Sequence, residues 1–457
     1  MPINSFLYPG VKVPPVFEVA NSLRFERTST DYLVRTPSGA GNRRTFTFST
    51  WLKRADLDQN LTIFASGTAS NNQTKCRFVD SDNSIFFDNE ASGSSNMRFY
   101  TTRLFRDVSA WYHIVIAVDT TQATDTNRVK IYVNGSQETS FSTANYPAQN
   151  LELFVNATNE FRIGREMGGG NFDGYLAETV LIDGLQLDPT SFGETDEDTG
   201  IWKPIDVSGL TFGTNGFYLD FENSGSLGAD VSGNGNNFTA NNLTSVDQST
   251  DTCTNNFTTL NSLANLTGSP TFSEANLKVA GDNSANHNWQ TTFVVSSGKW
   301  YWELKDLTSS PDGSLLFYDQ SISSGSHPGF GFVLNTKKKV INGSVTGSAI
   351  GSSAQNDIWS MALDLDNGKM FIARNGTYLE SGDPANGTNP FIQTSDGLPS
   401  EGVFGGHVYN GSMELNFGSP SFSISSGNSD GNGYGNFEYS VPSGYHALNT
   451  KNLAEYG

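Results

Sequence analysis

The strongest constraint on this chain is a two-residue alternation of apolar and polar side chains, interrupted at short intervals by turn residues. It is clear in residues 45–53 (TFTFSTWLK) and 111–118 (WYHIVIAV), and residues 128–133 (RVKIYV) lead directly into Asn134-Gly135. Such alternation places one face of a β-strand on a core, and Asn-Gly favours a tight hairpin because both residues tolerate positive φ. No apolar repeat at helical spacing is sustained. The pattern predicts an all-β chain.

Length and charge narrow the architecture and the partners. Because a single core rarely grows past about 250 residues, a chain of 457 residues is expected to form two modules in series. The net charge of −20 repels phosphate backbones, so we expect no nucleic acid as a partner. No apolar run approaches the roughly 20 residues that span a bilayer, and the start MPINSFLYPG lacks the features of a signal peptide. We therefore expect no membrane insertion and no export by such a signal.

Residues 1–19 are expected to form an extended arm. Prolines at positions 2, 9, 14 and 15 disfavour a helix, and no partner strand stands nearby in the sequence. An ordinary loose terminus is the alternative. Because the arm is apolar, we expect it to anchor the chain on another protein through five side chains: Phe6, Leu7, Tyr8, Val11 and Val13.

Residues 20–188 carry an ordered set of strand motifs, namely SLRF, FTFSTWLK, WYHIVIAVDTT, KIYVNG and FRIG followed by FDGYLAE. In order and spacing these motifs resemble the laminin-G-like, concanavalin A-like jelly roll. The resemblance implies an antiparallel β-sandwich. Residues 189–269 are poor in such motifs and are predicted to be a connector with short strands.

Residues 270–422 carry GKWYWEL, GFGFV, DIWSMALDLDNGKMFIARNGTYLESGDPANGTNP and ELNFG in that order. This series resembles the SPRY domain, which implies a second antiparallel β-sandwich that recognises proteins or peptides through its loops. The resemblance gives Trp300, Asp364, Asp366, Gly368 and Asn375 structural roles at strand ends and turns. Residues 423–457 are predicted to be a Gly- and Asn-rich tail.

No residue pattern indicates catalysis. Glycoside hydrolysis requires two carboxylates across the bond, and the nearest match is the acidic run at residues 194–198. Thr199 stands where the glucanase signature has its last acid, and the run lacks the apolar positions of a core strand. The five histidines never fall at metal-ligand spacing, and Cys76 and Cys253 lie in different segments, so no structural disulfide is expected. We predict a non-enzymatic protein with no required cofactor.

A calcium loop is one interpretation of residues 230–236. Asp230, Ser232, Asn234 and Asn236 alternate oxygen-bearing side chains as a calcium loop does. An EF-hand-like loop also needs a bidentate acid at its twelfth position, where this chain has Asn241. A turn cluster that binds no metal is the alternative.

Aromatic residues in loops are the glycan-binding candidates, because aromatic rings stack on sugar rings. The tryptophans at 51, 111, 300, 302 and 359 lie in predicted strands and are expected to fill cores. Tyr378, Tyr409 and Tyr434 lie in or beside predicted loops and are the predicted ligand contacts.

The order of modules, together with the connector DTCTNNFTTLN and the terminal ALNTKNL, resembles structural proteins of tailed bacteriophages, notably marine ones. The resemblance implies a tail fibre or capsid-surface appendage, made in the host cytoplasm and displayed in several copies on the virion surface. Its expected partners are other virion proteins, through the arm, and host-surface polysaccharide; its expected role is adhesion or particle decoration. A glycan-cleaving depolymerase and a secreted lectin remain the alternatives.

Overall fold

The computed structural model describes residues 17–264, 267–308, 312–319 and 327–457. The fold is nearly all β, with 46% of the chain in strands and 5% in helices, which confirms the predicted class. The predicted anchoring residues Phe6, Leu7, Tyr8, Val11 and Val13 lie outside the described residues.

The first module is a sandwich of two antiparallel sheets with eight strands each. The first sheet contains, in spatial order, Ser136–Gln137, Val129–Val133, Trp111–Asp119, Thr45–Arg54, Gly174–Asp183, Ser22–Phe25 and Gln248–Ser249, with Phe217–Leu219 paired to Gly174–Asp183. The second sheet contains Phe141–Asn145, Ser94–Leu104, Ser84–Ala91, Asn72–Phe78, Leu61–Ala69, Glu160–Ile163, Tyr32–Arg35 and Thr239–Asn241. Two small hairpins, Arg165–Glu166 with Gly169–Asn171 and Gly193–Thr195 with Trp202–Pro204, lie outside both sheets.

The alternation of apolar and polar residues along the strands determines which side chains form the core of this sandwich. Phe46, Phe48 and Leu52 of the strand Thr45–Arg54 are completely buried between the two sheets. The same strand pairs along its length with Trp111–Asp119. Asn134 and Gly135 form the predicted turn, with φ values of 46° and 77°. The strand and hairpin predictions for this region are therefore confirmed.

Residues 189–269 are more than a connector, which corrects the predicted boundary at residue 188. The strands Phe217–Leu219 and Gln248–Ser249 extend the first sheet, and Thr239–Asn241 extends the second. Phe192, Val207 and Phe212 pack on the outer face of the first sheet. These strands have two or three residues each, too few for alternation to be visible in the sequence.

The second module is built on one hydrogen-bonded network of thirteen strands. They are Thr271–Ser273, Lys278–Val295, Lys299–Asp306, Asp312–Tyr318, Phe330–Val333, Lys338–Ile341, Ser344–Thr346, Ile358–Asp364, Lys369–Arg374, Thr377–Tyr378, Ile392–Gln393, Gly402–Asn416 and His446–Ala447. The motif GKWYWEL and the first half of the motif DIWSMALDLDNGKMFIARNGTYLESGDPANGTNP form three of these strands, in keeping with the predicted β-sandwich.

Two long strands, Lys278–Val295 and Gly402–Asn416, make this network continuous. They pair with each other, and Gly402–Asn416 also pairs with Lys299–Asp306 at one end and with Asp312–Tyr318 at the other. Register shifts interrupt the pairing between Asp282 and His287 and again between Gln290 and Val294. The SPRY resemblance implied two sheets. In the structure the strands belong to one hydrogen-bonded network, because the two long strands contain bulges and pair with several neighbours.

The predicted tail, residues 423–457, is packed and ordered. Phe437 and Tyr445 are buried together with Tyr301 and Phe371 of the second module. The strand His446–Ala447 pairs with Lys299–Asp306. The chain ends in the α-helix Thr450–Tyr456, which Asn449 caps by accepting a hydrogen bond from the N–H of Asn452.

Short helices are confined to turns. The 3₁₀ turns are Asp125–Asn127, Pro189–Ser191, Ser245–Asp247, Leu379–Ser381 and Thr394–Asp396. Across the described ranges, helices are too short and too polar to cross a bilayer.

The two modules meet at a polar junction. Arg24 of the first sheet is 1% exposed and donates hydrogen bonds to the carbonyl of Pro420 and the carboxylate of Asp247. The hydroxyls of Ser249 and Ser419 lie 2.6 Å apart. A segment that we name the clasp, residues 249–262, runs through this junction. Its Phe257 packs in the cluster that contains Tyr301 and Phe371.

Candidate functional site

The three predicted ligand tyrosines lie in two different parts of the second module. Tyr378 and Tyr434 both border the buried cluster around Phe437, while Tyr409 lies in the long strand Gly402–Asn416. Burial raises the pKa of Tyr378 above its ordinary value. The Tyr434 ring lies 5.6 Å from the ammonium of Lys451. Tyr378 therefore serves mainly in packing.

The predicted calcium residues stabilise a turn by bonding to the backbone. One carboxylate oxygen of Asp230 accepts hydrogen bonds from the N–H groups of Tyr218 and Ser232, at 2.9 Å each. The other accepts the N–H of Asn236 at 2.7 Å.

The two asparagines of this loop also bond locally. Asn234 and Asn236 both donate through Nδ2 to the carbonyl of Gly216, and Oδ1 of Asn236 accepts from the Arg35 guanidinium at 2.6 Å. A cation held at that oxygen is unfavourable for calcium. The four residues form a self-bonded turn that closes residues 213–236.

Replacing Asp230 with alanine is expected to lower the free energy of unfolding by about 1–3 kcal/mol, because three backbone N–H groups lose their acceptor. Urea denaturation measures the change, with Asp220→Ala as a control that removes a single backbone hydrogen bond. We also expect calcium to leave the melting temperature of the wild-type protein unchanged. A calcium-dependent rise that Asp230→Ala abolishes would restore the calcium-loop interpretation.

An open pocket with a volume of about 880 Å³ lies between the two modules. We name it the junction pocket. The first module contributes residues next to the ends of three strands, and the second contributes the chain around residues 261–276. Its lining includes Glu26, Arg27, Asp56, Asp173, Leu263 and Phe272.

Strand pairing brings the acidic wall of the junction pocket together. Gly174 pairs with Phe25 on one side and with Arg54 on the other. Residues just beyond these positions, Glu26, Asp56 and Asp173, therefore meet at one edge of the first sheet. They are distant in sequence, so no local motif indicates the site. The sequence could have indicated the site only through the observation that all three acids lie just outside the ends of strands that pair with each other.

Two of the three carboxyl groups, those of Glu26 and Asp56, are held by hydrogen bonds to the protein. Glu26 accepts from the hydroxyl and N–H of Thr28 through one oxygen, and from the N–H of Glu274 through the other. Asp56 accepts from the guanidinium of Arg27 at 3.2 Å and from the N–H of Asp58. Their orientation is thereby fixed.

Asp173 is the perturbed group of the site. It is 7% exposed, and its pKa is raised well above the usual value, first by burial and then by the nearby carboxyl groups of Glu26 and Asp56. A protonated carboxyl group can both donate and accept a hydrogen bond. Asp173 can therefore bond a hydroxyl group in either sense.

The opposite wall combines apolar and amide groups. Phe272 is half-buried and Leu263 is 52% exposed, and both line the pocket. Asn276 and Ser262 each donate to the carbonyl of Ala55, which fixes this wall against the first module. The pocket thus presents oxygen acceptors on one side and apolar carbon on the other.

The outer face of the second sheet offers a second group of charged and aromatic residues. The Phe86 ring has the cationic groups of Lys75, Arg77 and Arg98 within 5.9 Å of its centre, and Tyr100 packs on it. Phe86 is only 2% exposed. Its face is covered by protein groups and is closed to stacking by a ligand.

One arrangement in the second module has the composition of a nucleophilic triad, although the sequence analysis found no such pattern among the histidines. His407 Nδ1 lies 2.8 Å from the Ser314 hydroxyl, and its Nε2 lies 3.4 Å from Asp312. His327 contacts the same Nδ1 at 3.0 Å. Ser314 and His407 are both completely buried, and burial lowers the pKa of His407 to about 3. A buried hydroxyl cannot reach a polymer substrate.

The other predicted groups show no reactive environment. Asp196 in the acidic run is paired with Lys203, whose hydrogen bond lowers the pKa of Asp196 to about 2. Cys76 and Cys253 are free, and burial raises both thiol pKa values. Within the described part of the chain, His, Cys, Asp and Glu side chains form no group of three or more that could hold a metal.

The chain shows several similarities to known proteins. Residues 27–185 match the family Laminin_G_3, described as the concanavalin A-like lectin/glucanases superfamily. None of the curated proteins compared matches the chain.

Three solved structures are similar to parts of this chain. The SPRY domain of human HERC1 has 11% identity and a TM-score of 0.26, over 30% of this chain and 87% of that one. The heptameric SAP-like pentraxin from Limulus polyphemus has 18% identity and a TM-score of 0.28, over 37% and 79%. Domain 4 of the arabinanase AbnA from Geobacillus stearothermophilus, in complex with arabinotriose, has 22% identity and a TM-score of 0.25, over 33% and 65%. The first module is thus the part of the chain that is similar to the concanavalin A-like lectin and glucanase superfamily.

Proposed function

We propose that this protein binds saccharides without cleaving them, and that the junction pocket is the binding site. The observation that carries the proposal is the pairing of fixed oxygen acceptors with an apolar wall in one pocket of about 880 Å³. Saccharides present hydroxyl groups around the ring edge and C–H groups on the ring faces, so both walls find a complement. The match of residues 27–185 to a lectin and glucanase superfamily supports the same class of ligand.

The bonding of the acidic wall supports binding without cleavage. Glycoside hydrolysis requires a proton donor and a second, available carboxylate. Asp173 has the raised pKa of a donor, but both oxygens of Glu26 and both of Asp56 already accept hydrogen bonds from the protein. These carboxylates are suited to orienting hydroxyl groups.

A glycan array of microbial surface saccharides, probed with the full chain, tests this function. Asp173→Ala and Phe272→Ala are each expected to weaken binding about tenfold, the effect of losing roughly 1.4 kcal/mol of interaction. Tyr409→Ala is the matched control, because Tyr409 lies outside the pocket lining. Binding that the pocket variants leave unchanged would contradict the assignment of the site, and release of oligosaccharides would contradict the absence of cleavage.

We further propose that the protein is a surface component of a tailed-phage virion, anchored through residues 1–19. The two short motifs that carry the phage resemblance, DTCTNNFTTLN and ALNTKNL, pack against each other. Thr450 donates its N–H to the carbonyl of Asn256, and the N–H of Thr258 bonds to the carbonyl of Leu448. This contact supports treating the two motifs as one structural unit.

Mass spectrometry of purified particles tests the virion proposal. The intact chain is expected in the particles, and a chain that lacks residues 1–19 is expected to be absent from them. Recovery of the chain only as a free extracellular protein would instead support the secreted lectin.

A further inference from the structure

A lysine, an aspartate and an asparagine meet inside the junction. Lys53, in the strand Thr45–Arg54, directs its side-chain nitrogen Nζ at the Asp251 carboxyl group and at Oδ1 of Asn256, which lies 2.9 Å away. Asp251 and Asn256 both belong to the clasp. About two hundred residues of chain separate the lysine from its two partners, so folding alone brings the three groups together.

The surroundings of this group exclude water. Lys53 and Asp251 are each 1% exposed. The Tyr175 ring lies 5.0 Å from the lysine nitrogen, and the indole N–H of Trp111 donates to Asp251 at 3.2 Å. In such a site a charge is costly, and the proton is readily shared between the amine and the acid.

Burial changes the protonation of both partners in the direction that generates a nucleophile. It lowers the pKa of Lys53 and raises the pKa of Asp251. A neutral lysine amine has a free lone pair, and a protonated aspartate can donate to a neighbouring carbonyl.

We propose that Lys53 and Asn256 become joined by a side-chain amide bond, which the folded protein forms by itself with Asp251 as the proton-transfer group. The lysine Nζ forms a bond to Cγ of Asn256, the Cγ–Nδ2 bond breaks, and one ammonia molecule leaves. One amine proton reaches the leaving nitrogen by way of Asp251, which begins and ends the reaction protonated. The exchange consumes no oxidant, reductant or cofactor.

The contacts around Asn256 hold it for this reaction. Its Nδ2, the leaving group, donates to the carbonyl of Ser109 at 2.7 Å, while its Oδ1 accepts from Lys53. The adjacent N–H of Phe257 donates to Asp251 at 3.3 Å, which ties the acid to the backbone next to Asn256. Fixed orientation of nucleophile and carbonyl is the main requirement for a reaction within one molecule.

The bond would tie the two modules together covalently. Lys53 lies in the first sheet, and Phe257, next to Asn256, packs in the cluster around Tyr301 and Phe437 of the second module. Pulling the modules apart would then require breaking a covalent bond. This inference rests on the proposed function in one respect: a protein that is pulled through a bound saccharide would be kept intact by a covalent bond between its two modules.

Intact-mass spectrometry of the folded, full-length protein under denaturing conditions tests the proposal. The wild type is expected to be lighter than its sequence mass by one ammonia molecule, and proteolysis is expected to yield a branched peptide that joins Lys53 to Asn256. Asn256→Ala, which keeps the lysine–aspartate pair, is expected to show the full sequence mass. Asp251→Ala is expected to do the same, with folding verified by circular dichroism.

Lys75→Met is the matched control, because Lys75 is a second largely buried lysine of the first module and lies outside the junction. It is expected to retain the ammonia loss, whereas Lys53→Met is expected to abolish it. Full sequence mass in the folded wild type would overturn the proposal. So would a loss of water with Lys53 joined to Asp251, or an ammonia loss that Asn256→Ala leaves in place.

Discussion

Replacing Lys53 with methionine is expected to lower the free energy of unfolding by about 3–5 kcal/mol, because it leaves the Asp251 carboxyl group buried without its partner. The methionine side chain fills a similar volume, so the loss comes from the contacts of the Lys53 nitrogen and from the amide bond proposed for it. Three groups lose that nitrogen, namely the Asp251 carboxyl group, the side chain of Asn256 and the carbonyl of Phe257.

Urea denaturation followed by tryptophan fluorescence measures this loss. Lys451→Met is the control, since the ion pair of Lys451 with Glu18 is partly exposed and its removal is expected to cost less than about 1 kcal/mol. Equal effects of the two substitutions would contradict the view that Lys53 joins the clasp to the first module.

Replacing Glu178 with glutamine is expected to stabilise the protein increasingly as the pH rises from 4 to 8. Glu178 is 6% exposed and lies in the strand Gly174–Asp183 at a register shift, where its φ is 48°. Its carboxyl group accepts a hydrogen bond from the Tyr218 hydroxyl at 2.6 Å. Burial raises the pKa of Glu178 from 4.5 to about 8.

The direction of this effect follows from the raised pKa. Between pH 4.5 and 8 the folded protein retains a proton on Glu178 that the unfolded chain releases, so wild-type stability falls as the pH rises. Glutamine keeps the acceptor for Tyr218 and carries no charge. At pH 8 its advantage is expected to be about 4 kcal/mol larger than at pH 4. Urea denaturation at both values measures the difference; an advantage independent of pH would contradict the assigned pKa.

Strands with regular alternation were predictable from the sequence, and irregular strands were not. Residues 45–53 place alternate apolar residues on the core, and the structure has a strand there. The long strand Lys278–Val295 was not predicted, because it contains NSANHN, which lies at a register shift and whose first three residues are exposed. A strand that leaves and rejoins its ladder needs no continuous apolar face.

Composition also did not show how segments rich in Asn, Ser and Gly pack. In the predicted tail, Asn452 is completely buried, donates to Asp430 and to the carbonyl of Ala447, and thereby fixes the final helix. Side-chain amides can satisfy buried backbone groups in the way that a sheet does. Composition alone does not distinguish this use from a flexible turn.

The candidate site was not predicted because its residues meet only through the sheet. Glu26, Asp56, Asp173 and Phe272 span nearly 250 residues of sequence. The three acids lie next to strand ends and Phe272 lies in a three-residue strand, so none belongs to a motif of its own. The tyrosine prediction relied on loop position, but contacts with the neighbouring core decide whether a ring is available to a ligand. Tyr378 shows this most clearly, since it packs against Phe371.

The location of a bound saccharide tests the central claim most directly. We would crystallise the full chain with a saccharide that it retains on the array and determine where the sugar lies. The account predicts the sugar in the junction pocket, with hydroxyl groups near Asp173 and a ring face toward Phe272. A saccharide bound elsewhere, with the junction pocket holding only solvent, would contradict it.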